Sequence, residues 1–460
     1  HAPLALHPEN PRYFLFHGKP TVLVTSGEHY GAVLNLDFDY VRYLDALAAD
    51  GLNHTRLFSG TYREVPSSFG ITDNTLAPRP GRYVAPWARS TEPGDFDGGT
   101  RFDLSRWDES YFRRLRDFMA EAGKRGVVVE LNLFCPFYEE VLWDANPMNA
   151  RNNVNGVGKV PRDEVYTLKH ADLTAVQEAV VRKIVAETNG YDNLYFEVAN
   201  EPYFGGITLE WQHHVAKLIA DTEARLPRRH LVSMNVANGS ARVENPSPHV
   251  SIHNFHYATP PDAVAANAHL RGVIGENETG FRGRDDVLYR TEGWAFLLAG
   301  GGLYNNLDYS FTPAHPDGTF LDYRSPGGGS PALRKQLQIL KRFLESVDFI
   351  RMSPDRESIR CTTPGVGVRA LAQRGKAYAV YVHVPLPKKA KDEELRRHAA
   401  KTVTAELVLD LPAGRYRAEW WNTKTGQVTP SAAFTHSGGE KILNSPPFSE
   451  DVALRLVAAP

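Results

Sequence analysis

Residues 193–202 read NLYFEVANEP. Leu194 to Ala199 is apolar and aromatic, as a strand buried on both faces would be, and Pro202 stops it because proline has no N–H for a ladder. Side chains alternate along a strand, so Glu197, Ala199 and Glu201 point one way, with Glu201 nearest the C-terminal rim. A carboxylate at the lip of a buried strand needs a reason, because burying a charge is costly unless it is paired. Glu197, lying deeper, reads as a paired structural carboxylate. Glu201 is placed for chemistry, and that chemistry calls for a second carboxylate.

Seven further β-branched runs flank this one, at 20–27, 51–58, 126–134, 229–236, 248–257, 271–278 and 302–308. Helical periodicities separate them at 37–50, 108–125, 171–189, 209–226, 286–300 and 331–347, several opening on Asp or Thr caps and closing before Gly. The helical signal is weak after the fifth and sixth strands. Apolar strands alternating with helices imply a parallel sheet, and eight such units predict an α/β fold, a closed (β/α)₈ TIM barrel. The loops 59–107 and 135–170 are long enough to suggest a binding cleft. Trp87 and Trp143 within them either face a ligand or pack the loops.

After about residue 350 the helical period disappears, and short alternating segments such as KAYAVYVHV and DVALRLVAA are separated by turns. This predicts a catalytic barrel over 1–349 and a small antiparallel β-sandwich domain over 350–460. The connection SVDFIRMSP (346–354) is short and apolar, which suggests rigid docking. Trp420 and Trp421 are expected to pack in the sandwich, and KKAKDEELRRH (388–398) reads as a solvated loop.

Composition narrows the partner. The 460 residues carry 52 basic and 54 acidic groups, well mixed, for a formal charge of −2. That balance offers no footprint for nucleic acid or an anionic membrane, and no apolar run is long enough to span a bilayer. Aromatic residues make up 11% of the chain, many in Gly/Pro-rich loops, and such flat apolar surfaces suit sugar rings. A neutral carbohydrate is the expected partner. The chain opens HAPLALHPENP without an initiator Met, which fits a processed or trimmed chain and removes the evidence a signal peptide would give, so the compartment is left open between secretion or the periplasm, the favoured choice, and the cytoplasm. Cys135 and Cys361 fall in different predicted domains, so no structural disulfide is expected.

The second carboxylate is sought at the end of the seventh strand, in VIGENETGF. Glu276 and Glu278 share a parity there, so both could face inward, with Glu278 nearer the rim. In a ring of eight, the fourth and seventh strands nearly face one another. Retaining glycoside hydrolysis needs two carboxyl groups about 5–5.5 Å apart, one as nucleophile and one as acid and then base. Glu28, His29 and Tyr30, just past the first strand, add polar groups at the rim.

This set of motifs resembles the clan A retaining glycoside hydrolases, over roughly residues 10–350. The resemblance implies a retaining double displacement with no cofactor and no metal. ANEP (199–202) is similar to that clan's Asn–Glu pair, which implies that Asn200 binds the substrate 2-hydroxyl and Glu201 is the acid/base. GLNHTRLF (51–58) resembles its second strand and implies that Arg56 supports the nucleophile. The run at 253–257 resembles its sixth strand, where Tyr257 and either His253 or His256 would reach the nucleophile and the sugar. In that clan the nucleophile Glu is followed two residues later by Gly, so NETG favours Glu278 over Glu276. The strand-eight Trp platform of the clan is replaced by Tyr304, Asn305, Asn306, Asp308 and Tyr309, among which Tyr304 and Asn306 are candidate sugar contacts.

Two rival functions use the same residues. A metal-dependent hydrolase would draw on His29, His253 and His256 with nearby acids, although no paired spacing such as HEXXH occurs. A non-catalytic carbohydrate-binding barrel would leave the facing carboxylates without a task.

Overall fold

Eight parallel strands form one sheet: β1 (Leu23–Gly27), β2 (His54–Phe58), β3 (Val128–Phe134), β4 (Leu194–Ala199), β5 (Val232–Asn238), β6 (Ile252–His256), β7 (Val273–Glu278) and β8 (Leu303–Leu307). The computed structural model describes all 460 residues, His1–Pro460. The strands neighbour one another in chain order, and β8 pairs back onto β1. At the remaining seam, between β1 and β2, Asn53 N–H donates to the Val24 carbonyl at 3.3 Å, and Val24 N–H donates to Asn53 Oδ1 at 2.9 Å. A side-chain amide thus does part of what a ladder would do, with Asn53 Nδ2 also donating to the Val22 carbonyl at 2.8 Å.

Six long helices cover the outside: α1 (Tyr40–Ala49), α2 (Glu109–Lys124), α3 (Ala171–Thr188), α4 (Leu209–Glu223), and, after one short helix at Asp262–Ala266, Asp286–Leu298 and Pro331–Glu345. Asp39, Asp108, Thr208, Asp285 and Ser330 cap five of them through side-chain oxygens, satisfying N–H groups that the first turn leaves free. No helix follows β5, and only the short one follows β6, which is where the helical pattern is weak. A three-stranded N-terminal meander plugs the lower mouth, where Leu4 and Phe14 pack on Leu23, Val128, Tyr195 and Ile252. The upper mouth is left for chemistry.

The C-terminal domain is two facing antiparallel sheets. The larger includes Gly367–Gln373, Ala377–His383, Gly414–Trp421 and Asp451–Ala458, and the smaller Ile359–Cys361, Glu406–Leu411 and Gly439–Asn444. Strand alternation divides the larger sheet's side chains. Tyr378, Val380 and Val382 fill the sandwich with Leu407 and Leu409, whereas Ala379 and Tyr381 join the barrel's core. The same rule corrects the reading of the tryptophan pair: Trp420 packs inside the sandwich, while Trp421 turns to the barrel and meets Phe343 edge-on at 5.3 Å.

The barrel–sandwich junction is apolar with a buried ionic centre. Trp294 stacks on Tyr381 at 5.3 Å, and Arg290 reaches Asp451 at 3.0 Å and Glu450 at 2.6 Å. Val347, Phe349 and Met352 of the connection are buried. The charged run at 388–398 is not a loop, because Asp392–Ala400 forms a helix. Glu394 accepts from Lys391 N–H at 2.7 Å as a cap, and His398 is buried with its ring at 2.8 Å from the Val384 carbonyl. A high density of charge does not oppose helix where the charges cap it or pair one turn apart. Cys135 and Cys361 are both free thiols.

Candidate active site

Arg56, on β2, is the hub of the barrel's upper mouth. Fully buried, its guanidinium donates to Glu130 Oε1 at 2.7 Å, to Glu197, to Asn200 Oδ1 at 2.9 Å and toward Glu278 Oε1 at 3.4 Å. One cation therefore ties together carboxylates from β3, β4 and β7. Asn254 and Asn277 donate to Glu197 Oε2 at 3.0 and 2.7 Å, so Glu197 is a paired, fully buried carboxylate one layer below the rim. Like charges this close can remain buried only because fixed donors surround them.

Glu278 has partners on both carboxyl oxygens and still lines the cavity. Tyr30 donates to Oε1 at 2.8 Å, Tyr257 donates to Oε2 at 2.5 Å, and His256 Nδ1 lies 3.1 Å from Oε2. Burial works to raise this carboxyl, but the charges of His256 and Arg56 and the hydrogen bonds from His256 and Tyr257 outweigh it and hold Glu278 well below the usual carboxylate range. Burial likewise works against protonated His256, yet the neighbouring Glu278 and Glu201 raise its imidazole to about 9.

Glu201 sits across the mouth. Its backbone takes φ 36°, in the left-handed region, and its N–H donates to Asn235 Oδ1 at 2.7 Å. That turn sends Asn200 and Glu201 into the same pocket, which a regular strand would not do. Tyr138 donates to Glu201 Oε1 at 2.6 Å while accepting from Asn200 Nδ2 at 2.8 Å, and His256 Nδ1 stands 3.1 Å from Glu201 Oε2. Ligating atoms of Glu201, His256 and Glu278 all lie within 4.8 Å of one another.

The cavity over these groups is narrow, about 30 Å³, and is lined by His29, Tyr30, Glu64 and Cys135 as well as the carboxylates. Phe69 and Phe281 border it with rings 40% and 38% exposed, so the mouth is roofed by side chains free on one face. His29 Nε2 contacts Glu64 Oε1 at 2.9 Å, and Asn74 and Tyr62 also donate to Glu64, which fixes the carboxylate against one wall.

Several sequence candidates lie elsewhere. Glu276 does not share the inward face with Glu278. The β6–β7 register slips between Phe255/Glu276 and His256/Glu278, a bulge that turns Asn277 inward and leaves Glu276 on the outer side, accepting from Ala258 N–H at 2.8 Å. His253 faces outward into a separate pocket beside Tyr203 and His213, so the ring at the carboxylates is that of His256. Glu28 braces its own loop by accepting from Thr75, Gly31 and Ala32, and does not line the cavity. Tyr304 and Asn306 share the outward parity of β8: Tyr304 donates to the Tyr289 carbonyl and Asn306 to Ser26. Trp143 is buried, donating from Nε1 to the Val160 carbonyl at 3.1 Å, and Trp87 is buried too, so both pack the long loops. The histidines of the metal-dependent alternative are not assembled, since His29, His253 and His256 occupy three different environments.

Tyr138, Glu64, Cys135, Phe69 and Phe281 line the cavity without having been singled out in the sequence. They come from loops, and the sequence signal for all but Phe281, which ends the VIGENETGF stretch after β7, is the length of those loops.

No family model matches the sequence, and no curated protein matches it at a significant level. Solved structures do share its fold. A protein of Bacteroides vulgatus assigned provisionally as a glycoside hydrolase aligns over 100% of this chain and 83% of its own, with a TM-score of 0.66 and 14% identity. A glycoside hydrolase family 5 protein of the same organism aligns over 99% of this chain and 94% of its own, with a TM-score of 0.64 and 12% identity. A family 5 mannosidase from Rhizomucor miehei covers 75% of this chain and 99% of its own, with a TM-score of 0.50 and 11% identity. At such identities the likeness is one of fold: the barrel alone in the last case, barrel and C-terminal domain together in the first two.

Proposed function

We propose that the chain is a retaining glycoside hydrolase, with Glu278 as nucleophile and Glu201 as acid/base. The observation that carries this reading is His256 Nδ1 standing 3.1 Å from both Glu201 and Glu278. Carboxyl groups bridged by one imidazole are too close for the intervening water that inversion requires at about 6.5–9.5 Å, and suit the shorter separation of a double displacement. The fold shared with structures described as glycoside hydrolases supports the same reading.

In the first step a Glu278 oxygen attacks the anomeric carbon while Glu201 gives its proton to the departing glycosidic oxygen. The C–O bond breaks and a glycosyl ester forms. In the second step water attacks that carbon, Glu201 takes the water's proton, and Glu278 leaves. Arg56, Tyr30 and Tyr257 keep Glu278 anionic and oriented before attack, a preorganised environment that need not rearrange during the reaction. Asn200, fixed by Arg56 and Tyr138, is placed to hold the sugar's 2-hydroxyl. At about 30 Å³ the cavity is too small for a sugar ring, so action on a single terminal sugar of a neutral glycoside requires the partly exposed Phe69 and Phe281 rings to turn outward.

Glu201, His256 and Glu278 are also a possible metal triad by spacing. The donors already arranged on Glu278 favour the hydrolase reading, because Arg56, Tyr30 and Tyr257 occupy the carboxylate that a cation would need. A panel of aryl glycosides decides, with the first-formed anomer read by NMR and each assay repeated after EDTA dialysis. Retained configuration and EDTA-insensitive turnover are expected. An inverted product or activity restored only by added metal would overturn the proposal.

A further inference from the structure

A cleft of about 580 Å³ separates the barrel from the sandwich, on the outer side of β7. The barrel contributes Arg282, Glu292 and the Thr259–Pro261 turn, and the sandwich contributes Arg369, His383 and Lys388. Arg369 Nε and His383 Nδ1 are buried without hydrogen-bond partners, and the carboxyl oxygens of Glu292, also without one at hydrogen-bonding geometry, have the Thr279 hydroxyl beside them. Glu292 is only 2% exposed. Buried polar atoms are almost always paired, so four orphans from two domains around one cleft call for a shared partner.

The charge of the cleft says what kind. Three cations line it, and its ion pair is the long one from Arg282 to Glu292, at 3.7 Å. Arg282 is oriented by the carbonyls of Lys388 and Leu288, which hold it without cancelling its charge. Asp262 is the acid acting on Arg369, and Arg356 opposes it. Burial raises the carboxyl of Glu292, though Arg282 works against the shift, and burial together with Glu292 raises Glu276 behind it. For both acids burial is the largest influence and opposes the charged form.

We propose that this cleft binds a small oxyanion, a carboxylate or phosphate group, held by Arg369 and Lys388 of the sandwich with Arg282 of the barrel. Guanidinium groups present paired N–H donors to two oxygens of such a group, and the Lys388 ammonium adds a third positive donor. A divalent cation is the wrong occupant, since three positive side chains surround the two buried acids. The site is separate from the catalytic mouth, so its existence does not depend on the hydrolase assignment.

The test is thermal unfolding of the full chain against sodium phosphate, sodium malonate and sodium chloride at matched ionic strength. A saturable rise in Tm of about 1–3 °C is expected with phosphate, malonate or both, and not with chloride. A response to phosphate alone identifies phosphate as the source, and a response to malonate identifies carboxylate. Arg369→Gln and Lys388→Gln should each weaken the half-saturation at least tenfold while leaving Tm without added anion unchanged. No saturable rise with either anion, or an equal rise in both variants, would overturn the proposal.

Discussion

The Tyr257 hydroxyl donates to Glu278 Oε2 at 2.5 Å from a residue held at φ 51°. A left-handed backbone at a bulky residue persists only where its surroundings fix it, and here Tyr257 N–H also donates to the Glu278 carbonyl at 3.0 Å. Tyr257→Phe removes the side-chain donor alone. A hydrogen bond to a charged group is worth about 1.5–3 kcal/mol, so kcat/KM should fall about 10–150-fold. Because that donor helps to depress Glu278, the acid limb of the pH profile should move to higher pH. An unmoved limb with an unchanged rate would take Tyr257 out of the mechanism.

Glu201→Ala should spare attack on aryl glycosides whose leaving group needs no proton, yet slow release of the sugar from Glu278. Azide, small enough to enter the space left by the carboxylate, should restore turnover and give a glycosyl azide of retained configuration. Full activity without azide would place the acid/base elsewhere.

A fluorinated mechanism-based glycoside should label the peptide containing VIGENETGF on Glu278. Glu276 faces away and accepts a backbone N–H, and burial, then Glu292, raises its carboxyl well above the ordinary range. Glu276→Gln keeps an acceptor at the same place, so activity should stay within a few-fold of the parent. Label on Glu276 would reverse the assignment.

The domain junction should unfold together with the barrel. Arg290 and Asp451 are both buried, so Asp451→Asn weakens one of the two acidic partners of the guanidinium, Glu450 remaining at 2.6 Å, and should cost about 1.5–3 kcal/mol. Burial works to raise Asp451, but Arg290, Thr423 and Tyr381 outweigh it and depress its carboxyl. Its stabilisation is therefore fully present above the unfolded value of about 3.9 and is lost as pH falls through the lower folded one. Calorimetry should give one transition for the full chain, while truncation after residue 349 should expose Trp294 and Phe343 and lower solubility. Two independent transitions would contradict rigid docking.

His256 gives stability the opposite pH dependence. Its folded value of about 9 lies above the unfolded value of about 6.5, so its contribution is full below the latter and disappears as pH rises through the former. The Tm difference between the parent and His256→Gln should shrink from pH 6.5 to about 9. A difference independent of pH would show that the imidazole is neutral beside the two carboxylates.

The eight strands and the end of β4 were legible in the sequence because alternation, capping and proline breaks are local properties of the chain. They place Glu201 at the rim and Arg56 on β2 without any knowledge of neighbours. Parity failed at β7, where it set Glu276 and Glu278 on one face. The bulge that separates them is a slip in pairing with β6, and pairing is not written in either strand alone. Parity also could not choose between His253 and His256, nor tell that Tyr304 and Asn306 face outward, since β6 (IHNFH) and β8 (LYNNL) carry polar side chains on both faces and only the covering helices distinguish the two. The loops are the extreme case. Tyr138 reaches Glu201 and Glu64 reaches His29 only because long, aperiodic segments fold back over the mouth, where Tyr138 packs on Phe69 and Phe204 and Glu64 accepts from Tyr62 and Asn74, contacts that spacing along the chain does not reveal.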